Sequence, residues 1–155
     1  MTELSALLAP GAVADSFAAA NKKALFVQLG SLAADVAGLE ARAVTERLTD
    51  RERLGSTGFG GGIAIPHGKV AGLDRIVGLF VRLDRAIDFE AVDDLPVDLV
   101  FALLSPPDAG AEHLKALAGV SRRLRDRSFV AKLRGAGSRD ALYALLSDTG
   151  QRDAA

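Results

Sequence analysis

The 155-residue chain has no cysteine and no tryptophan, and aromatic residues make up 5% of it. Without thiols it forms no disulfide, no thiolate nucleophile, no iron–sulfur cluster and no cysteine-based zinc site. So few rings leave no stacking platform for bases or sugars. Charge of one sign is also missing. Lysine and arginine total 19 against 20 for aspartate and glutamate, a formal net charge of −1. No global field therefore recruits nucleic acid or an anionic membrane. No run approaches the ~20 apolar residues of a membrane span, and Met1-Thr2-Glu3-Leu4 lacks the basic start of a signal peptide. These absences predict a cytoplasmic protein with no membrane insertion and no nucleic-acid partner. The length predicts one domain, and 49% hydrophobic residues suffice for a sizeable core. We place that domain at residues 1–150 and read the polar end, 151–155, as a disordered tail.

What the chain has instead is glycine, concentrated. Five of its 16 glycines fall between Gly55 and Gly62. The run continues through Ile63-Ala64-Ile65 to Pro66-His67-Gly68-Lys69. It is neither a Walker A loop nor a dinucleotide fingerprint: Val70 follows Gly68-Lys69 where a phosphate loop needs Ser or Thr, and no G-x-G-x-x-G fits these glycines. Two readings stay open, a flexible surface loop and a backbone that comes very close to a ligand.

Helical and extended periodicities organise the rest. Asn21 caps a helix from Lys22 whose inward stripe is Leu25, Leu29, Leu32 and Val36, ending near Gly38. A second helix runs from Glu40 to about Arg51, with Val44 and Leu48 inward. Ile63-Ala64-Ile65 reads as a short strand stopped by Pro66. The runs Ile76–Leu83 and Pro96–Leu104 read as strands buried on both faces, with Ala86-Ile87-Asp88-Phe89 as a short edge strand between them. A helix from about Ala111 turns Leu114, Leu117, Ala118, Ser121 and Leu124 to one face. Two shorter helices come after it, near Ser128–Arg134 and Ser138–Leu146. The order predicts an α/β single-domain sandwich, a mixed parallel and antiparallel sheet flanked by helices on both sides.

Two histidines are present. His67 is held between Pro66, which restricts the backbone, and Gly68, which leaves room for another molecule to approach the ring. A neutral imidazole there is a nucleophile; the alternative is a loop histidine bonded to backbone. His113 opens the helix after Pro106-Pro107, where the helix end favours a bound anion; the alternative is an exposed helix-start residue. Arg51 and Arg53 suit phosphoryl oxygens, or are solvated charges in Asp50-Arg51-Glu52-Arg53. Asp88, Glu90, Asp93, Asp94 and Asp98 read as a polar turn between strands. Nothing makes them converge as a magnesium site would need.

The stretch from Arg51-Glu52 through Gly55-Ser56-Thr57-Gly58-Phe59-Gly60 to Ala64-Ile65-Pro66-His67-Gly68-Lys69 resembles the active-site signature of the mannitol/fructose-type enzyme IIA of the bacterial phosphotransferase system. The resemblance continues through Ile87-Asp88-Phe89, Pro96-Val97-Asp98-Leu99-Val100-Phe101 and His113-Leu114, covering nearly the whole chain. The chain is most like the nitrogen-regulatory branch, whose Ser-Thr-Gly-x-Gly-x-Gly-x-Ala-Ile-Pro-His-Gly-Lys run it carries. Gly61 departs, standing where relatives often have asparagine. The resemblance implies that His67 is the phosphoryl acceptor, with Arg51 and His113 supporting it. Ser56, Thr57, Gly58, Gly60, Gly62 and Gly68 would form the phosphoryl loop. It implies a histidine phosphocarrier protein as donor and no cofactor or metal. Regulatory targets such as potassium transport or sensor kinase components would read the phosphorylation state. A sugar-specific enzyme IIA relaying phosphate to a IIB component is the alternative within the family, and a non-covalent anion-binding module the alternative outside it. Phe59, Ile63 and Ile65 are the expected apolar docking residues near His67.

Overall fold

The computed structural model describes residues 4–148; the expected domain end at 150 and the tail 151–155 lie outside the described residues. In chain order these residues form α1 (Leu4–Leu7), a 3-10 turn at Pro10–Ala12, β1 (Val13–Phe17), α2 (Lys22–Ala37) and α3 (Ala41–Arg53). Then come β2 (Gly58–Gly60), β3 (Ile63–Ala64), β4 (His67–Lys69), β5 (Val77–Ile87) and β6 (Val97–Ser105). Helices α4 (Ala111–Leu124), α5 (Arg127–Gly135) and α6 (Arg139–Leu146) close the fold. None of the described helices is long and apolar enough to cross a membrane.

The two apolar runs become the central pair. Strands β5 and β6 are antiparallel, from Val77↔Leu104 to Ile87↔Val97. Every residue of β6 except Asp98 is buried, which requires cover on both faces. The sheet order is β1-β5-β6-β3-β2, with β4 also paired to β6. Strand β1 runs parallel to β5, and β3 and β4 run parallel to β6. Strand β2 is antiparallel to β3. Helices α2 and α3 pack on each other and on β5 and β4; α4 packs on β6, and α6 on β1. The expected mixed sheet with helices on both sides is what the chain forms.

Local signals explain the helix ends. The Asn21 side chain accepts from Ala24 N at 2.8 Å, and Gly38 ends α2 at φ +68°, a left-handed turn glycine adopts without strain. Asp126 and Ser138 cap α5 and α6 by the same kind of bond.

Two expectations change, and one strand is added. The edge strand Ala86–Phe89 does not exist separately: β5 runs on to Ile87 through a register shift after Arg82, and Asp88-Phe89 leave the sheet. Strand β1 was not legible, because Val-Ala-Asp-Ser-Phe has no alternation and Ser16 bends to φ +53°; it becomes a strand by pairing with β5. Helix α4 is rotated from its expected face. Its buried residues are His113, Ala116, Gly119, Val120 and Leu124, while Leu114 and Ala118 are exposed. Spacings of three, four and four from His113 to Leu124 are as helical as the leucine stripe. Reading histidine as polar selects the wrong one.

Arg82 binds the sheet to the C-terminal helices. Its Nε donates to Asp15 Oδ1 at 2.8 Å, and its Nη1 to Leu133 O at 2.8 Å and Ala136 O at 2.7 Å.

Candidate functional site

The glycine run is a built hairpin rather than a loose loop. Strand β2 leads through Gly61 and Gly62 into β3, with φ of +117° at Gly60, +71° at Gly61 and +83° at Gly62. Side chains rarely adopt these angles. A Cβ at Gly62 would also sit 2.5 Å from Arg134 Nη2 and 3.0 Å from Asp98 Oδ1. The hairpin's amides are engaged by the protein itself. Thr57 N donates to Glu52 Oε1 at 3.0 Å, Gly58 N to Ser56 Oγ at 3.1 Å, and Gly61 N to Asp93 Oδ2 at 2.9 Å. Arg134 Nη2 ties Gly61 O (2.7 Å) to Asp98 Oδ1 (2.8 Å). The carboxylates Asp93 and Asp98, read as a polar turn, therefore hold the hairpin tip.

Pro66 shapes the approach to His67. It has no N–H to give a ladder, so the strand beside β6 breaks there while its carbonyl still accepts from Leu103 N at 2.9 Å. Pairing resumes in unchanged register, from Ile63↔Leu99 and Ala64↔Val100 to His67↔Leu103 and Lys69↔Ser105. Gly68 lies against α3: a Cβ there would be 3.3 Å from Arg47 Cβ. Its smallness lets helix and strand pack closely.

This register places His67 at the end of β6, where three other elements arrive. Its Nδ1 lies 2.8 Å from Ile65 O. A carbonyl oxygen only accepts, so Nδ1 carries the proton and Nε2 keeps its lone pair. The Arg51 Nε–H, from the last turn of α3, donates to that Nε2 at 3.2 Å, while Arg51 Nη1 donates to Gly55 O at 2.9 Å. Burial lowers the His67 pKa from the ordinary 6.5, and the Arg51 charge adds to this. The bond to Ile65 and the Glu52 charge oppose it. The ring is neutral near neutral pH.

His113 comes to the same place from the first turn of α4. The two rings lie 5.6 Å apart, centroid to centroid, tilted by 47°. His113 is 8% exposed, with Nδ1 2.6 Å from Ser105 Oγ, so the exposed helix-start reading is set aside. Burial, then the neighbouring His67 and Lys69, lowers its pKa as well.

Arg53 goes elsewhere, pairing with Asp50 at 3.2 Å with its side chain 73% exposed. Glu52 is the residue the charge run concealed. One carboxylate oxygen takes both Thr57 N and Thr57 Oγ1 (2.6 Å), and the other takes Lys22 Nζ at 3.1 Å. The signal was present in the α3 period, since Val44 and Leu48 continue at helical spacing to 51 and 52. Of the expected docking residues, Ile63 and Ile65 are 3% and 4% exposed, and Arg125 lies over the Phe59 ring at 4.8 Å. The exposed apolar side chains adjoining site residues are Leu54 (83%), between Arg51 and Gly55, and Leu114 (66%), beside His113. Among the described residues no group of three or more His, Cys, Asp or Glu could hold a metal ion.

Residues 7–149 match the family model described as the phosphoenolpyruvate-dependent sugar phosphotransferase system, EIIA 2. A nitrogen regulatory protein of Bradyrhizobium diazoefficiens is 50% identical over 141 residues, covering 91% of this chain and 92% of that one. The crystal structure of nitrogen regulatory protein IIA-Ntr from Neisseria meningitidis superposes with a TM-score of 0.86 at 35% identity, covering 92% of this chain and 98% of that one. The fold is shared with Escherichia coli enzyme IIA mannitol, solved in complex with phosphorylated enzyme IIB mannitol. The TM-score there is 0.71 at 22% identity, covering 88% and 94% of the two chains. The chain belongs to the type 2 enzyme IIA family of the phosphotransferase system, and within it resembles the nitrogen-regulatory members.

Proposed function

We propose that the chain accepts a phosphoryl group on His67 Nε2 from a histidine phosphocarrier protein, and that the phosphorylation state of His67 regulates its partners in the cytoplasm. The observation that carries this reading is the state of the ring. Nδ1–H is held by Ile65 O at 2.8 Å, which leaves Nε2 as the one nucleophilic nitrogen. The lowered pKa keeps that lone pair available at neutral pH.

In the step itself, the Nε2 lone pair attacks the donor's phosphorus in line. A new P–N bond forms at His67 as the donor's P–N bond breaks, and the donor imidazole leaves with that electron pair and is protonated from solvent. Positioning and charge stabilisation dominate such a transfer. Arg51 has two parts. At rest its Nε–H caps the lone pair at 3.2 Å; during transfer the guanidinium moves onto the phosphoryl oxygens, which it suits better than a single nitrogen. His113, 5.6 Å away ring to ring, supports the same oxygens from the other side. Ser56, Thr57 and the glycines at 58, 60, 62 and 68 keep the wall beside His67 in place. Leu54 and Leu114 supply the apolar surface against which the phosphocarrier docks.

The nitrogen-regulatory relatives favour a regulatory output; potassium transport or sensor kinase components are the target class we propose for it. Intact mass after incubation with phosphoenolpyruvate, enzyme I and the phosphocarrier tests the acceptor role. Wild type gains one phosphoryl group and His67→Ala gains none. A phosphoryl group on the variant overturns the assignment, and no uptake by wild type favours non-covalent anion binding.

A further inference from the structure

Strand β6 ends on a buried serine that neither the sequence motifs nor the phosphoryl-transfer reading uses. Ser105 is 0% exposed and its carbonyl accepts from Val70 N at 2.8 Å. Its hydroxyl has one partner among the described residues, His113 Nδ1 at 2.6 Å. That distance suits a strong bond, and its direction comes from proton accounting. Were His113 Nδ1–H the donor, the serine proton would need a second acceptor in a dry site. A buried donor left without an acceptor loses its hydration with nothing in return. The hydroxyl therefore donates to Nδ1, and the ring proton of neutral His113 sits on Nε2.

We propose that Ser105 is a positioning residue for phosphoryl transfer: by donating to His113 Nδ1 it holds His113 as the Nε2–H tautomer, so that this ring presents a proton donor to the phosphoryl group on His67. The two histidines are then complementary. His67 carries its proton on Nδ1 and attacks with Nε2; His113 carries its proton on Nε2 and donates with it. With the opposite tautomer, His113 would turn a lone pair toward anionic oxygens and repel them. The lowered pKa of His113 agrees, since the ring donates while neutral and brings no charge into the site. The role rests on the reading of His67 as acceptor, but the tautomer is measurable without any transfer.

The test compares wild type, Ser105→Ala and Ser105→Thr. Long-range proton–nitrogen spectra of the rings at neutral pH read the tautomer directly. In wild type His113 shows an unprotonated Nδ1 and a protonated Nε2; in Ser105→Ala the two forms mix; Ser105→Thr, which keeps the hydroxyl, restores the wild-type pattern. Phosphoryl transfer from the phosphocarrier slows about tenfold in Ser105→Ala, the effect expected when a supporting partner of a functional histidine is lost. In a His113→Ala background the same change has no further effect, because Ser105 acts through His113. A protonated Nδ1 in wild type, or an unaltered His113 spectrum in Ser105→Ala, overturns the part given to Ser105 and leaves the acceptor reading standing. A wild-type protein that takes up no phosphoryl group overturns both roles in transfer.

Discussion

His67 is held by partners with opposite demands. Ile65 O requires a proton on Nδ1, and Arg51 Nε–H requires a lone pair on Nε2; only the neutral ring with its proton on Nδ1 satisfies both. Burial disfavours the charged ring most, and protonating Nε2 also breaks the Arg51 bond and sets two cations side by side. The folded ring therefore resists a proton that the unfolded chain accepts at the ordinary pKa of 6.5. Because the unfolded state binds more protons in that window, stability rises with pH through it. The contributions of His67 and His113 are fully present above about pH 6.5 and are lost progressively as pH falls below it. Asp15 and Asp93, held below 3.8 by Arg82 and by backbone N–H groups, lose theirs only in a lower window. Thermal melts from about pH 7 down to about pH 5 should show a falling Tm in wild type and a shallower fall in His67→Ala. Identical slopes would mean His67 is not held neutral by the fold. For Arg51, whose charge matters most while the phosphoryl group is in flight, Arg51→Ala should slow transfer about 10²–10³-fold. Binding of the unphosphorylated phosphocarrier should change far less. Single-turnover kinetics beside a binding titration separate the two, and equal losses in both would make Arg51 a docking residue.

At the scale of elements, the site is a meeting of ends: the last turn of α3, the break in the strand at Pro66, the end of β6 and the first turn of α4. Strand β4 is fixed to β6 by register, and α3 to β4 by the absence of a side chain at Gly68. Glu52 joins α3 to the chain entering the hairpin through Thr57, and to α2 through Lys22. Glu52→Ala leaves Thr57 N–H without its acceptor and Lys22 without its nearer carboxylate, at 3.1 Å against 3.7 Å for Glu90. We expect a loss of about 1–3 kcal/mol in denaturant unfolding, the usual consequence of orphaning a buried donor. Since Glu52 adjoins Arg51, transfer should slow as well. An unchanged midpoint would show that the hairpin holds itself.

For the whole molecule the question is output. On the proposed reading, a phosphoryl group on His67 would bring up to two negative charges at neutral pH to a site whose neighbours in sequence include exposed Leu54 and Leu114. A partner that docks over this site would bury the added charge, which disfavours binding unless the partner brings an arginine. Regulatory targets should therefore distinguish the two states, and many should prefer the unphosphorylated protein. Parallel pull-downs with phosphorylated and unphosphorylated protein check this. Equal recovery of the same partners would favour a phosphate relay to a sugar permease.

Much of this was legible in the chain alone. Periodicity specified α2 and α3, with the Asn21 cap adding the start of α2, because Asn21, Leu25, Leu29, Val44 and Leu48 act within their own helices. The continuous apolar runs specified β5 and β6, because a strand buried on both faces has no polar alternation to hide. The resemblance pointed to His67, Arg51 and His113, which the fold brings together. What the chain left undecided depended on partners distant in sequence. Strand β1 exists because β5 lies beside it. Helix α4 turned His113 inward because Ser105, eight residues earlier on another element, supplies its ring with a hydrogen bond. Glu52 looked like one more solvated charge until Thr57 and Lys22 closed around it. Local preference is written in neighbouring residues, but a tautomer, a buried carboxylate and a strand edge are set by what packs against them, and only the tertiary structure brings those groups into contact.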